Sequence, residues 1–186
     1  MAATFLTNQF LIAMPGMTDP NFAQSVTLVC EHNAQGALGI VINRPLPLTF
    51  GDVFRQLGLD AAHSKVGDEQ VLQGGPVQTD RGFVLHTPGS LWDSTLPVSE
   101  WLHLTTSRDI LDALARGEGP PAALMALGYA GWDAGQLEAE VAQNAWLTVP
   151  AHERLVFETA LDDRWEAACE LLGVNLLHLS SDAGHA

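Results

Sequence analysis

Within V-T-L-V-C-E-H-N-A-Q-G-A-L-G-I-V-I-N-R at 26–44, Cys30, Glu31 and His32 are the side chains best suited to chemistry. A thiol beside an imidazole can form an activated nucleophile or a redox sensor, because a neighbouring imidazolium favours the reactive thiolate. On a β-strand, alternation would place Cys30 and His32 on one face, with Cα atoms about 6.6 Å apart, and Glu31 on the other. Packing competes with that reading. Val26, Leu28 and Cys30 form one apolar face at period two, and a free cysteine is a common core residue. His32 would then end the strand beside a turn. The residues favour packing and leave a Cys30-based redox sensor or thiol enzyme as the alternative.

A second set of polar groups falls at the ends of strand candidates: His32, Asn33, Asn43, Arg44, Arg81 and His86. Arg44 and Arg81 are two of the four basic residues in the first 92, and together they could form an anion-binding spot. L-Q-G-G-P-V at 72–77 adds Gly74 and Gly75, whose backbone amides could surround an anion. G-G-P also serves simply to turn a chain between two strands. Neither phosphate-loop fingerprint is present. The seven histidines, at 32, 63, 86, 103, 152, 178 and 185, show no H-x-x-x-H pair, and there is no C-x-x-C. No metal or cofactor is therefore expected. Ser90 lies in T-P-G-S-L-W, which is not a nucleophile elbow.

These residues must be positioned by strands early in the chain and helices later. N-Q-F-L-I-A-M, S-V-T-L-V-C-E-H, A-L-G-I-V-I-N, E-Q-V-L-Q-G-G, G-F-V-L-H-T, W-L-H-L-T, A-A-L-M-A-L-G and A-W-L-T-V read as strands. The short N-A-Q-G link between the second and third predicts a hairpin. Thr49 is placed to cap a helix carrying Phe50, Val53, Phe54 and Leu57 on one stripe. Ser107 is placed to cap R-D-I-L-D-A-L-A-R; Asp133 with Gln136, and Asp163 with Glu166, resemble capping boxes for two more helices. Glycines in G-Y-A-G-W-D-A-G lead into the third helix, with Tyr129 and Trp132 read as packing anchors. Trp165, Ala168, Cys169 and Leu172 follow helical spacing and turn Cys169 toward the core. Consecutive strands without intervening helices favour α+β with a mixed, largely antiparallel sheet, in one domain over 1–186.

Charge excludes more than any motif does. Eight basic residues face 22 acidic ones, a net charge of −14, and Lys65 is the single lysine. The C-terminal half, 93–186, holds four basic and fifteen acidic residues. Nucleic-acid binding needs cations to neutralise phosphates, so direct DNA or RNA binding is disfavoured. The only candidate helix-turn-helix, at 107–127, has a uniformly apolar second element where a recognition helix would be polar and basic. No apolar run approaches the roughly 18 residues of a membrane span. M-A-A-T-F-L-T-N-Q-F lacks the basic start of a secretory signal, and a cytoplasmic location is expected.

Several longer strings resemble one family. They are F-L-I-A-M-P-G-M-T-D-P-N-F at 10–22, V-C-E-H-N-A-Q-G-A-L-G-I-V-I-N-R-P at 29–45, G-G-P-V at 74–77 and R-G-F-V-L-H at 81–86. T-T-S-R-D-I-L at 105–111, A-L-G-Y-A-G-W-D-A-G-Q-L-E at 126–138, N-A-W-L-T at 144–148, D-R-W at 163–165 and the closing A-G-H-A complete the set. Over nearly its full length the chain resembles the AlgH family, also called YqgE. The resemblance implies a bifurcated sheet curled into a pseudo-barrel with helices around it, and the residues themselves give about four such helices. It brings a label of transcriptional regulator, through alginate control, and no reaction or functional residues to carry over. The expectation is a non-enzymatic regulatory or accessory protein that binds a small anionic ligand or a protein partner.

Overall fold

The computed structural model describes residues 5–173. His178, His185 and the closing A-G-H-A lie outside the described residues. In chain order the elements are β1 (Gln9–Ala13), β2 (Val26–Asn33), β3 (Gly36–Val41), β4 (Pro45–Thr49) and α1 (Phe50–Gln56). Next come β5 (Gln70–Gln73), β6 (Val77–His86), β7 (Thr95–Pro97), β8 (His103–Thr105) and α2 (Asp109–Ala115). The remainder are β9 (Ala123–Asp133), α3 (Gln136–Ala142), β10 (Trp146–Pro150), α4 (Glu153–Phe157), a 3-10 turn (Leu161–Asp163) and α5 (Arg164–Leu171).

The strands run β10-β1-β2-β3-β9-β6-β8-β7, antiparallel throughout. The sheet forks on β9. Its C-terminal half pairs with β3, from Gly36 opposite Asp133 to Gly39 opposite Ala130. Its N-terminal half pairs with β6 and also, in parallel, with β5, which returns through β4. The fold is α+β, a curled, forked sheet making a half-barrel with five α-helices.

Each layer of helices matches an apolar face of the sheet. Phe10, Ile12, Leu28, Ile40, Phe83, Leu85 and Leu104 bury one face with Leu155 and Val156 of α4 and Ala168 and Cys169 of α5. Val84 and Met125 bury the opposite side of the β6–β9 half against Phe50 and Phe54 of α1 and Ile110 and Leu114 of α2. Leu11, Val29, Ala130 and Trp132 do the same for the other half, against Leu137 of α3 and Trp146. Period-two alternation feeds both faces of each strand, which is why these segments read as near-continuous apolar runs.

Local signals account for much of this and miss some of it. Thr49 makes the predicted cap: Asp52 N–H donates to its hydroxyl at 3.2 Å, and Asp52 accepts the Thr49 N–H at 2.9 Å. Ser107 does not cap α2; its hydroxyl donates to Asp109 Oδ1 at 2.6 Å, and Arg108 occupies the cap position. Asp133 is not a cap either. It is the last residue of β9, extended five residues beyond the predicted end at Gly128, and Gly135 begins α3. The strands P-L-P-L-T and T-L-P, and helix α4, were not legible in the sequence. Prolines in β4 and β7 argue against a strand in the sequence, and α4 is only five residues, too short for a helical period to emerge.

The G-G-P motif does more than turn the chain. It carries the backbone from β5 on one edge of β9 across to β6 on the other. A Cβ on Gly75 would lie 2.1 Å from the Tyr129 carbonyl carbon, and one on Gly74 would lie 2.3 Å from the Gly128 oxygen. Only glycine lets two backbones cross this closely.

Candidate functional site

The structure separates Cys30 from His32. The β2–β3 register is Val29 opposite Gly39, then Glu31 opposite Leu38, so Cys30 is the extra residue of a β-bulge. Residues directly opposite share a face. Leu38 packs with the α4–α5 core and Ala37, opposite His32, packs on the α3 side. Cys30 lies in the α4–α5 core. The bulge therefore puts Cys30 and His32 on opposite faces, correcting the expectation from uninterrupted alternation.

Both side chains are spent on structure. Cys30 is 1% exposed, and its Sγ donates only to the Leu28 carbonyl, at 3.7 Å. Burial, then the Glu31 charge, pushes its thiol far above the ordinary range. That environment disfavours the reactive thiolate. His32 is buried as well; its Nδ1 accepts the Leu6 N–H at 2.9 Å, and its Nε2 lies 2.7 Å from Glu138 Oε1 on α3. A neutral ring protonated on Nε2 satisfies both contacts. That hydrogen bond from His32 is the leading reason the Glu138 carboxyl sits below the usual glutamate range.

The other sequence candidates fall at separate places. Asn43 Oδ1 accepts the Val26 N–H and its Nδ2 donates to the Gln24 carbonyl, each at 2.9 Å. Arg44 donates to the carbonyls of Pro20 at 2.7 Å and Ala23 at 2.9 Å. Together they hold the 19–24 loop. Arg81 is exposed, 5.4 Å over the Phe83 ring and hydrogen-bonded to Gln78. His86 is fully buried between the Thr87 carbonyl at 2.8 Å and Thr105 Oγ1 at 2.7 Å, and burial lowers its pKa. Its ring centroid is 6.0 Å from that of His103, while His32 sits on the α3 side. Gly74 and Gly75 make the backbone crossing. Asn33 lies at the β2–β3 turn, accepting the Gln35 N–H at 2.8 Å. Among the described residues no three His, Cys, Asp or Glu side chains gather as a metal set.

What the fold does assemble is a cleft of about 940 Å³ beside α3. Trp132 from β9, Trp146 from β10 and Phe22 from the loop form a triad, with ring centroids 5.4 to 6.4 Å apart. Met14, Pro15 and Met17 extend the apolar wall. One carboxylate organises it. Glu140 Oε1 accepts the indole N–H of Trp132 at 3.1 Å and of Trp146 at 3.0 Å, and its Oε2 accepts from Gln136 at 2.9 Å. Trp132 can lie down on the sheet because Gly39 presents no side chain: a Cβ there would meet the indole at 3.2 Å. The loop held by Asn43 and Arg44 is the one that delivers Phe22 and Asp19 to this cleft, so these two sequence candidates support the site without lining it.

A second cleft of about 540 Å³ opens on the other face of the same strands, lined by Glu31, Asn33, Leu38, Tyr129 and Asp133 among others. Gly131 and Trp132 line both. The charged side chains are Asp19 and Glu140 in the first and Glu31 and Asp133 in the second; neither is lined by Lys or Arg. Arg44 and Arg81 line neither. The sequence reading missed this arrangement because Phe22, Trp132, Glu140 and Trp146 come from three elements and a loop. The one available signal was two tryptophans flanking an amphipathic helix.

Fold and site together define a forked α+β half-barrel with paired clefts. The AlgH-like family model matches residues 10–177, and the chain belongs to that family. It is 58% identical over 185 residues to a UPF0301 protein of Thioalkalivibrio sulfidiphilus, covering 100% of this chain and 99% of the relative. A UPF0301 protein of Methylococcus capsulatus is 57% identical over 183 residues, covering 98% and 97%. The solution structure of AlgH from Pseudomonas aeruginosa is 52% identical with a TM-score of 0.80, covering 100% of this chain and 98% of that one. A crystal structure from Corynebacterium diphtheriae, 20% identical with a TM-score of 0.70 over 89% and 86%, shares the fold.

Proposed function

We propose that this protein is a non-enzymatic accessory or regulatory module that docks a segment of a protein partner in the Phe22–Trp132–Trp146 cleft. The supporting observation is the pair of buried indoles fixed by a single carboxylate, a rigid floor behind the half-buried wall of Phe22, Met14 and Met17 with an acidic rim. Preorganised aromatic pockets are where binding energy concentrates in protein interfaces. With acidic residues and no basic ones in the lining, the seat favours an apolar segment that also carries basic side chains. The Arg44 and Arg81 guanidiniums, engaged with loop carbonyls and with Gln78 and Phe83, give a small anion less to bind than the cleft gives a peptide. Any effect on transcription then passes through a protein partner, in keeping with the net charge of −14.

Calorimetric titration tests this with two hexapeptides, acetyl-Lys-Leu-Lys-Leu-Lys-Leu-amide and its counterpart with Glu in place of Lys. The basic peptide is expected to bind with Kd on the order of 10–100 µM, about 5.5–7 kcal/mol. Phe22→Ala should weaken it by roughly tenfold, the worth of one lost aromatic wall. No binding, or equal binding of the acidic peptide, would overturn the proposal.

A further inference from the structure

The two clefts meet at a stretch of backbone, and its direction can be worked out. Asn33 opposite Gly36 closes the short β2–β3 hairpin as a hydrogen-bonded pair, so Gly36 and Leu38 direct their N–H and C=O groups toward β2. Ala37 and Gly39 then face β9, engaging Trp132 and Ala130. Gly131 and Asp133 must point the other way, out of the sheet. Asp133 agrees: its N–H donates to the Gln136 side chain at 2.9 Å rather than to β3. On that outer edge β6 accompanies β9 as far as Val77 opposite Tyr129. Among the described residues no strand pairs with the edge beyond it. Gly131 is exposed and, like Trp132, lines both clefts, while Tyr129 and Asp133 line the second alone.

We infer that this edge of β9, through the Gly131 N–H and C=O and the Asp133 C=O, accepts an extended segment of the partner as an added strand. The segment continues the line that β6 leaves at Val77. In such strand addition, backbone hydrogen bonds supply affinity and side chains at period two are read on the two faces. Here apolar side chains enter the aromatic cleft at Trp132, and alternate basic ones face Glu31 and Asp133. The occupant is an alternating basic–apolar β-segment of another protein, the charge complement of four carboxylates and no cation. The inference rests on the docking reading above and specifies how the partner is held.

The test uses the full chain, ¹⁵N-labelled, with the Lys-Leu hexapeptide and two versions N-methylated at alternate residues, one in each register. Strand addition predicts that the parent peptide slows amide exchange at Gly131 at least tenfold and that N-methylation in one of the two registers weakens binding at least tenfold. Glu31→Lys, a change at an exposed side chain, is expected to weaken the basic peptide three- to tenfold. Equal binding of both N-methylated registers, with no protection at Gly131, would overturn strand addition while leaving docking intact. No binding of any peptide would overturn both. A Gly131 amide already protected in dilute free protein would assign the edge to the chain itself. Protection rising with protein concentration would assign it to a second copy. Either result contradicts a heterologous partner.

Discussion

Replacing Glu140 by alanine tests the physical basis of the cleft. The carboxylate accepts both indole N–H groups through one oxygen, at 3.1 and 3.0 Å, from side chains belonging to residues only 7% and 3% exposed. Hydrogen bonds to a charged group contribute about 1.5–3 kcal/mol each, and unpaired buried donors cost a similar amount. Water entering the adjacent cleft can re-satisfy part of that demand, which places the loss near the lower end, about 3 kcal/mol for the pair. At roughly 2–4 °C per kcal/mol for a chain of this size, Tm should fall by about 6–12 °C. Glu140→Gln keeps an acceptor oxygen and should lose only about 1 kcal/mol. Urea denaturation at unchanged m-value measures the loss, and a cycle with Trp146→Phe should return a coupling of about 1 kcal/mol. A Glu140→Ala protein within about 0.5 kcal/mol of the parent, the level of an ordinary surface change, would refute the carboxylate as organiser of the two indoles.

Arg164, 5% exposed, donates to the carbonyls of Thr159 and Ile42 and ties α5 to the end of β3; Arg164→Met should cost about 2–4 kcal/mol in the same assay. The Glu138 carboxyl, held below its ordinary value of 4.5 chiefly by the hydrogen bond from His32, binds its proton at lower pH folded than unfolded. Its contribution is complete above the unfolded pKa and is lost as pH falls through the folded one. The advantage of the parent over Glu138→Gln in urea midpoint should therefore shrink below about pH 4.5; a constant gap from pH 6 to 3 would contradict the pairing. Burial raises the Cys169 thiol to about 11 and Cys30 further, so alkylation resolved by peptide mass spectrometry should be slow at both until the protein unfolds. Rapid modification of Cys30 with a midpoint below about 8.5, the free-thiol value, would restore the thiol-enzyme reading.

Some features governed by near neighbours in the chain were legible, although the caps expected from Ser107, Asp133 and Asp163 do not form. The Thr49 cap, the Trp165–Leu172 stripe and the β2–β3 hairpin depend on residues a few positions apart, and all are present. The bulge at Cys30 was not, because an inserted residue leaves no mark on an apolar strand buried on both faces. Gly74 and Gly75 read as a turn, since the backbone they cross lies more than fifty residues away. The cleft was the least legible. Phe22 and Trp146 are 124 positions apart, and only the closure of β10 onto β1 and of β3 onto β9 brings them to Glu140. Arg44 stood out in the sequence for its charge, yet it acts through the loop carbonyls it holds.

The most direct test of the docking site is to follow the indole N–H resonances of Trp92, Trp101, Trp132, Trp146 and Trp165 while the Lys-Leu hexapeptide is added. Saturable shifts confined to Trp132 and Trp146, absent with the Glu-Leu peptide, are the predicted result. Shifts at the other three tryptophans alone, or none at any, would contradict the assignment of this cleft as the docking site.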